Sequence, residues 1–456
     1  MKFLLIVTLF VSVVTAPWLT VSVPQEGVIL INPKTTYQTM IGWEATDQAG
    51  QREYRAKWLK YKDQLYDLAV NDLGIDRVRL QVKATSSGFD WTGFDQCLAE
   101  VVVPLRQRLE ARGERLWVNV CVVEGALKDN PSLYAQNVLA TYKRMQSKYG
   151  FVPDSWEAGL EPDHFGWGTQ GSTMGYAIVA AGKLLAANGY PSKVFIAPSS
   201  SNTVHAIAYF DEMVRDVPDS TRYLAEFSYH LYGGADRRSR EAMAMRALSR
   251  GLKVSQGEFI GATYEDLHQD LKVAQVSSWE QYTLCWAMSS TGDNGGQYYV
   301  ADDVSNPANP PIVMGSRTKF LRQYFKFIRR GAVRIGAMSS YPGFDPVAFR
   351  NVDAREVVVV KAASGGSFKI HGLSAGTYGV KYTTAKQYDV DMPAVNISPG
   401  QPLDANIPDA GVITIYGTSS PGPAATPKPI PNASFSFGRS IINEIVSEGE
   451  RACLYY

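Results

Sequence analysis

The sequence carries almost no net charge: 45 Lys+Arg stand against 44 Asp+Glu in 456 residues, leaving +1 at neutral pH. Such a balance supplies no long-range field to gather a polyanion or an anionic membrane surface, so nucleic acid is not an expected partner. Histidine and cysteine are scarce as well. The five histidines (His164, His205, His230, His268, His371) form no H-E-x-x-H or i, i+4 pair, and Cys97, Cys121, Cys285 and Cys453 form no C-x-x-C pair. Neither set has the spacing of a metal site, so a metal is not expected. Disulfides are permitted, but the spacing selects no pairing. After residue 16, no stretch approaches the roughly 18 uninterrupted apolar residues of a transmembrane helix. Residues 3–16, apolar behind Lys2 and ending in small residues, read as a secretory signal peptide (1–16) and imply an extracellular or periplasmic protein. The competing reading is a buried N-terminal strand, which has nothing upstream to pair with. Pro17 is a poor cleavage context, so the cut is expected further on.

Apolar residues make up 45% of the chain and aromatics 11%, with 25 Tyr and 9 Trp, a composition that folds into a large core. Between residues 37 and 330, short apolar runs alternate with helical patterns, the signature of parallel strands with crossover helices. Strands are expected at 40–45, 76–82, 116–122, 155–161, 193–198, 225–230, 253–258 and 297–301. Helices are expected at 53–73, 94–112, 131–149, 173–188, 204–214, 239–250, 264–288 and 316–328. Eight such pairs in about 290 residues predict an α/β fold, a (β/α)8 TIM barrel whose active site lies at the C-terminal strand ends. Residues 331–417 change to short alternating strands at 333–337, 347–351, 357–362, 367–371, 376–382 and 411–416. They predict an appended β-sandwich, joined by an N-terminal strand within 21–36. A Pro-rich linker follows at 418–432, and a tail of unassigned role at 433–456. A monomer is expected.

Barrel interiors favour branched apolar residues, and an unpaired buried charge costs several kcal/mol, so strands that end on acids need an explanation. The fourth strand runs through Glu157, Gly159 and Glu161 on one face, with Glu161 at the rim; the seventh ends at Glu258. A lone rim glutamate is more simply a salt-bridge partner for a barrel arginine. Two, on strands four and seven, are the equipment of glycoside hydrolysis, one protonating the leaving oxygen while the other attacks the anomeric carbon across about 5 Å. Arg79, in phase with Arg77 on strand two, would favour the charged carboxylate of Glu258, whether or not it also serves as a structural partner. His230 and Tyr232 follow strand six, where a lone histidine is either a hydrogen-bonded structural residue or a contact to substrate or nucleophile.

Three stretches carry a family resemblance. Gln38-Thr39-Met40-Ile41-Gly42-Trp43 resembles the opening motif of glycoside hydrolase family 30. Phe327-Ile328-Arg329-Arg330-Gly331-Ala332-Val333-Arg334-Ile335-Gly336-Ala337 resembles that family's last barrel helix and its passage into the sandwich. Pro346 to Asn351 with Val357 to Val360 fits the sandwich strands that follow. The resemblance spans about 380 residues. It implies a retaining glycosidase with Glu161 as acid/base, Glu258 as nucleophile, Tyr232 beside the nucleophile, a carbohydrate substrate and no cofactor. It breaks at one point: the family's fourth strand ends Asn-Glu-Pro, whereas this chain has Leu160-Glu161-Pro162. Leucine cannot bond the sugar 2-hydroxyl as that Asn does. The tryptophan expected near the end of strand eight is also not evident at 297–302.

Leu160, if it faces the pocket, would exclude water beside Glu161 and favour the protonated acid, leaving Glu157, His164, His230 and Gln256 as polar candidates for the lost contact. Trp43, Trp91 and Trp167 fall near strand ends, where rings can lie against pyranose faces; core packing is the alternative for each. The competing function is a carbohydrate-binding barrel that has lost turnover, with Leu160 as its main support.

Overall fold

A computed structural model of the protein describes residues 27–168 and 170–419. The expected signal peptide, the tail and all but the first residues of the Pro-rich linker lie outside the described residues, as does Cys453.

Eight parallel strands close into a barrel: β1 (Gly42–Thr46), β2 (Arg77–Thr85), β3 (Trp117–Val123), β4 (Ser155–Glu157), β5 (Phe195–Ser200), β6 (Leu224–His230), β7 (Lys253–Glu258) and β8 (Val276–Ala287). Each pairs with the next, and β8 returns to β1 through Trp279 opposite Trp43 and Glu280 opposite Glu44. Helices cover the outside, and their ends follow local chemistry. Asn130 caps the helix Pro131–Tyr149 by accepting from the Leu133 N–H at 3.0 Å, with Pro131 supplying the preset first turn and Gly150 the left-handed stop.

The eighth strand corrects the sequence reading, which placed a helix at 264–288 and the last strand at 297–301. The helix stops at Gln269, a wide turn covers Asp270–Ala274, and Gln275 reverses the chain at φ +54°. The residues beyond it, rich in Trp, Tyr, Thr and Val, form β8, where alternation sends Trp279 to the helices and Glu280 to the barrel interior. Gln297–Ala301 pairs in parallel with the outer half of β8 and antiparallel with Ile312–Met314, so it branches off the closed ring. The strand expected at 155–161 also ends early, at Glu157.

The second unit is a nine-stranded sheet in the order Val390–Ile397, Gly376–Thr384, Gly411–Gly417, Glu356–Ala362, Phe344–Arg350, Val333–Ser339, Gly27–Thr39, Gly366–His371 and Leu403–Ile407. Gly27–Thr39 pairs antiparallel with Val333–Ser339 and parallel with Gly366–His371, so the N-terminal strand lies inside this sheet. Residues from both ends of the path, Tyr378 and Val380 at one and Leu403 and Ile407 at the other, share one apolar core, which requires the sheet to fold over on itself. The run Val357-Val358-Val359-Val360 shows why it docks: Val358 and Val360 face that inner core, while Val357 and Val359 join the barrel's. Strands Val390–Ile397 and Leu403–Ile407 were not anticipated. Among the described residues, no helix is long and apolar enough to cross a membrane.

Candidate active site

The barrel interior is charged, and β2 organises it. Arg77 reaches Glu44 on β1 at 3.0 Å and both oxygens of Glu226 on β6 at 3.1 Å. Two residues higher, Arg79 contacts both oxygens of Glu157 at 2.6 and 2.8 Å and donates to Glu258 at 2.7 Å. Burial alone would raise the Glu157 carboxyl, but the field and hydrogen bonds of Arg79, with help from His230 and Ser199, hold it below the usual carboxylate range. Two arginines cannot neutralise Glu44, Glu226, Glu157, Glu258 and Glu280 together. Glu280 touches neither, accepting instead from the Thr46 hydroxyl at 2.6 Å, and burial together with Glu44 and Glu258 pushes it far up. Burial pushes the Glu44 carboxyl up as well, against the pull of Arg77, so both of these neighbouring acids are shifted toward the protonated form.

Above this layer lie the two predicted glutamates. β6 and β7 pair as Tyr229 with Gln256 and then His230 with Glu258, so Gly257 is an extra residue that turns Glu258 toward the mouth. A β-carbon at Gly257 would come within 3.2 Å of both His230 Nε2 and Ser228 Oγ, so only glycine fits without displacing them. Glu258 Oε2 takes the Arg79 bond, and Oε1 accepts from the Tyr232 hydroxyl at 2.8 Å. Burial and the adjacent Glu258 push the Tyr232 phenol up, so it stays a donor. Glu161 follows β4 at φ +34°, and one of its oxygens lies 2.8 Å from His230 Nδ1. A carboxylate oxygen of Glu161, a ring nitrogen of His230 and a carboxylate oxygen of Glu258 all lie within 4.8 Å of one another. They are also the one set of three possible metal donors among the described residues, although His230 already uses Nδ1 on Glu161.

Glu161, Glu258, Arg79, His230 and Tyr232 are therefore gathered in one place. Two predicted platforms are not. Trp43 is 1% exposed, stacks on Phe325 with centroids 4.2 Å apart and donates to the Ile328 carbonyl, so it belongs to the core between barrel and helices. Trp167 is 2% exposed and meets Tyr134 edge-on, lying over Gly159. Their large apolar area is worth more inside than on the rim. Trp91 is half-buried beneath the Arg144 guanidinium. Leu160 is buried beside Glu161, outside both apolar cores. Of the polar candidates, Glu157 is held by Arg79, His230 by Glu161, and Gln256 by the Glu280 N–H at 3.2 Å, while His164 is exposed.

Sequence reasoning missed Tyr282, half-buried within the field of Glu258, and the half-buried Gln48 and Gln81. Gln81 is the next inward position after Arg79, so the phase of β2 could have found it. Gln48 lies 3.4 Å from it, amide to carbonyl, and bonds the Tyr282 hydroxyl, whose phenol burial and Glu258 raise. Tyr282 was hidden by the misplaced eighth strand, and so was Trp286, half-buried near the end of β8. The tryptophan expected at 297–302 was sought on the wrong strand.

Solved structures match over most of the chain. The catalytic domain of a GH30 xylanase C from Talaromyces cellulolyticus superposes with a TM-score of 0.69 at 16% identity, covering 86% of this chain and 100% of that one. The chain has the fold of glycoside hydrolase family 30 structures. An endo-β-1,6-glucanase matches with a TM-score of 0.63 at 15% identity over 86% of this chain and 94% of its own. A conserved exported protein from Bacteroides fragilis matches at 0.67 and 14%, over 85% and 100%. No protein-family model matches the sequence. No curated protein matches it either.

Proposed function

We propose that the protein is a secreted, retaining β-glycoside hydrolase acting on a β-linked glycan or glycoside. The observation that carries the reading is the 4.8 Å span of Glu161, His230 and Glu258 at the mouth of a (β/α)8 barrel. Retaining enzymes hold their two carboxyl groups about 5 Å apart, whereas inverting enzymes leave about 6.5 to 9.5 Å for a water. In the first step Glu161 gives its proton to the glycosidic oxygen, the bond to the anomeric carbon breaks, and a Glu258 oxygen bonds that carbon. In the second, Glu161 takes a proton from water, whose oxygen displaces Glu258. Arg79 and Tyr232 each donate to one oxygen of Glu258 and fix its orientation, while His230, with Nδ1 2.8 Å from a Glu161 oxygen, helps to orient Glu161. Gln48, Gln81 and Tyr282 offer amides and a phenol for sugar hydroxyls. The xylanase and glucanase with this fold support a β-glycan substrate. The apolar run at 3–16 supports secretion.

Leu160 favours a second reading, a barrel that binds sugar without turning it over. Against it stands the cost of keeping two like charges together where no chemistry uses them. Hydrolysis of a panel of aryl β-glycosides and β-glycans, with NMR of the first product anomer, decides. Retention of configuration is expected; inversion, or binding without turnover, overturns the proposal.

A further inference from the structure

Glu161 sits in a backbone conformation that a non-glycine residue keeps only where its surroundings hold it. Its N–H donates to the carbonyl of Ser199, itself at φ +54° on the neighbouring strand end, at 3.1 Å. Two residues on, Asp163 makes the stronger tie. Its Oδ1 accepts from the Ser201 N–H at 3.0 Å, and its Oδ2 from the Ser201 hydroxyl at 2.6 Å, with His205 Nδ1 at 2.7 Å. Burial would raise the Asp163 carboxyl, but the Ser201 and His205 hydrogen bonds hold it below the ordinary range. The far side of this joint is anchored too. Asn202 caps the helix Thr203–Asp216 through the His205 N–H at 2.9 Å, and the Ser201 carbonyl accepts from the Tyr232 N–H at 3.0 Å. Ser201 thus joins the turn that bears Glu161 to the segment that bears Tyr232, the partner of Glu258.

We infer that Asp163 is a positioning residue for proton donation: through Ser201 and His205 it holds the strained turn so that the Glu161 carboxyl stays beside His230 and opposite Glu258. The inference rests on the reading of Glu161 as the acid, and it assigns Asp163 no contact with substrate. A merely structural tie would weaken every reaction alike. A tie that acts through the acid matters only when the leaving group needs a proton.

The test uses two β-glycosides of one sugar, a dinitrophenyl glycoside that departs unprotonated and a phenyl glycoside that needs the acid. For Asp163→Ala, kcat/KM on the phenyl glycoside is expected to fall about tenfold or more beyond the loss on the dinitrophenyl one. Asp163→Asn keeps an oxygen for Ser201 and is expected to recover most of that difference. If Asp163→Ala does not fold, Ser201→Ala is expected to show the same selective loss. Equal losses on both substrates, or none, overturn the inference. Glu161→Ala run alongside separates the two claims: a selective loss there without one at Asp163 removes only the positioning role. The absence of a selective loss at Glu161 removes the acid assignment, and the inference with it.

Discussion

Asp47, the residue after β1, is fully buried behind the barrel wall, and burial raises its carboxyl from an ordinary 3.8 to about 6, the Cys97 thiol and Arg52 guanidinium offsetting only part of the effect. Between those two pH values the folded protein keeps a proton that the unfolded chain has lost, so stability falls as pH rises through the window. Above pH 6 the full cost is in place, and the difference corresponds to roughly 3 kcal/mol. Asp47→Asn removes the titration while keeping the side-chain shape. At pH 8 the variant is expected to be more stable by about that amount; near pH 4 the two proteins should be nearly equal. With about 2.1 cal/mol/K of unfolding entropy per residue, a chain of this length gains about 3 °C in Tm. Differential scanning calorimetry of both proteins from pH 4 to pH 8 reads the difference directly, because every other titrating group cancels in the comparison. A Tm difference that does not change with pH, or a variant that melts lower at pH 8, refutes the assignment of Asp47 as a strained buried acid.

Four further outcomes are expected. Gly159→Ala would place a β-carbon 2.4 Å from Trp167 Nε1 and 2.7 Å from Cε2; since that ring is locked in the core, urea denaturation should show a loss of about 1–3 kcal/mol. Glu280→Gln replaces an acid that burial pushes toward its protonated form with a neutral isostere and should leave kcat/KM and stability nearly unchanged. Glu157→Gln removes the main counter-ion of buried Arg79 and should cost about 3–5 kcal/mol; equal damage from the two variants would contradict the opposite directions in which burial and Arg79 push these two acids. Leu160→Asn introduces a polar amide into a site shaped around an apolar group and should lower kcat/KM; a rise of about tenfold, equivalent to about 1.4 kcal/mol, would show that the leucine merely degrades the site.

Local pattern was enough for much of this protein. The alternation of apolar runs and helical periods determined a (β/α)8 barrel, period-2 phase along β2 picked out Arg79, and acids at the ends of the fourth and seventh apolar runs picked out Glu161 and Glu258. Where local pattern is ambiguous, tertiary contacts decided. Residues 276–287 carry enough apolar residues to read as helix, and only pairing with β1, β7 and Gln297–Ala301 makes them a strand; Tyr282 and Trp286 became visible with that pairing. Trp43 and Trp167 sit at sequence positions that suit a sugar platform, yet a ring's burial depends on what packs over it, Phe325 in one case and Tyr134 in the other, from segments remote in sequence. The bulge at Gly257 that aims Glu258, the bridge of Ser201 between two loops, and the upward push on the Glu280 carboxyl all depend on distances between strands. Sequence sets the direction of a side chain along its own strand; only closure of the barrel sets its distance to a charge on another.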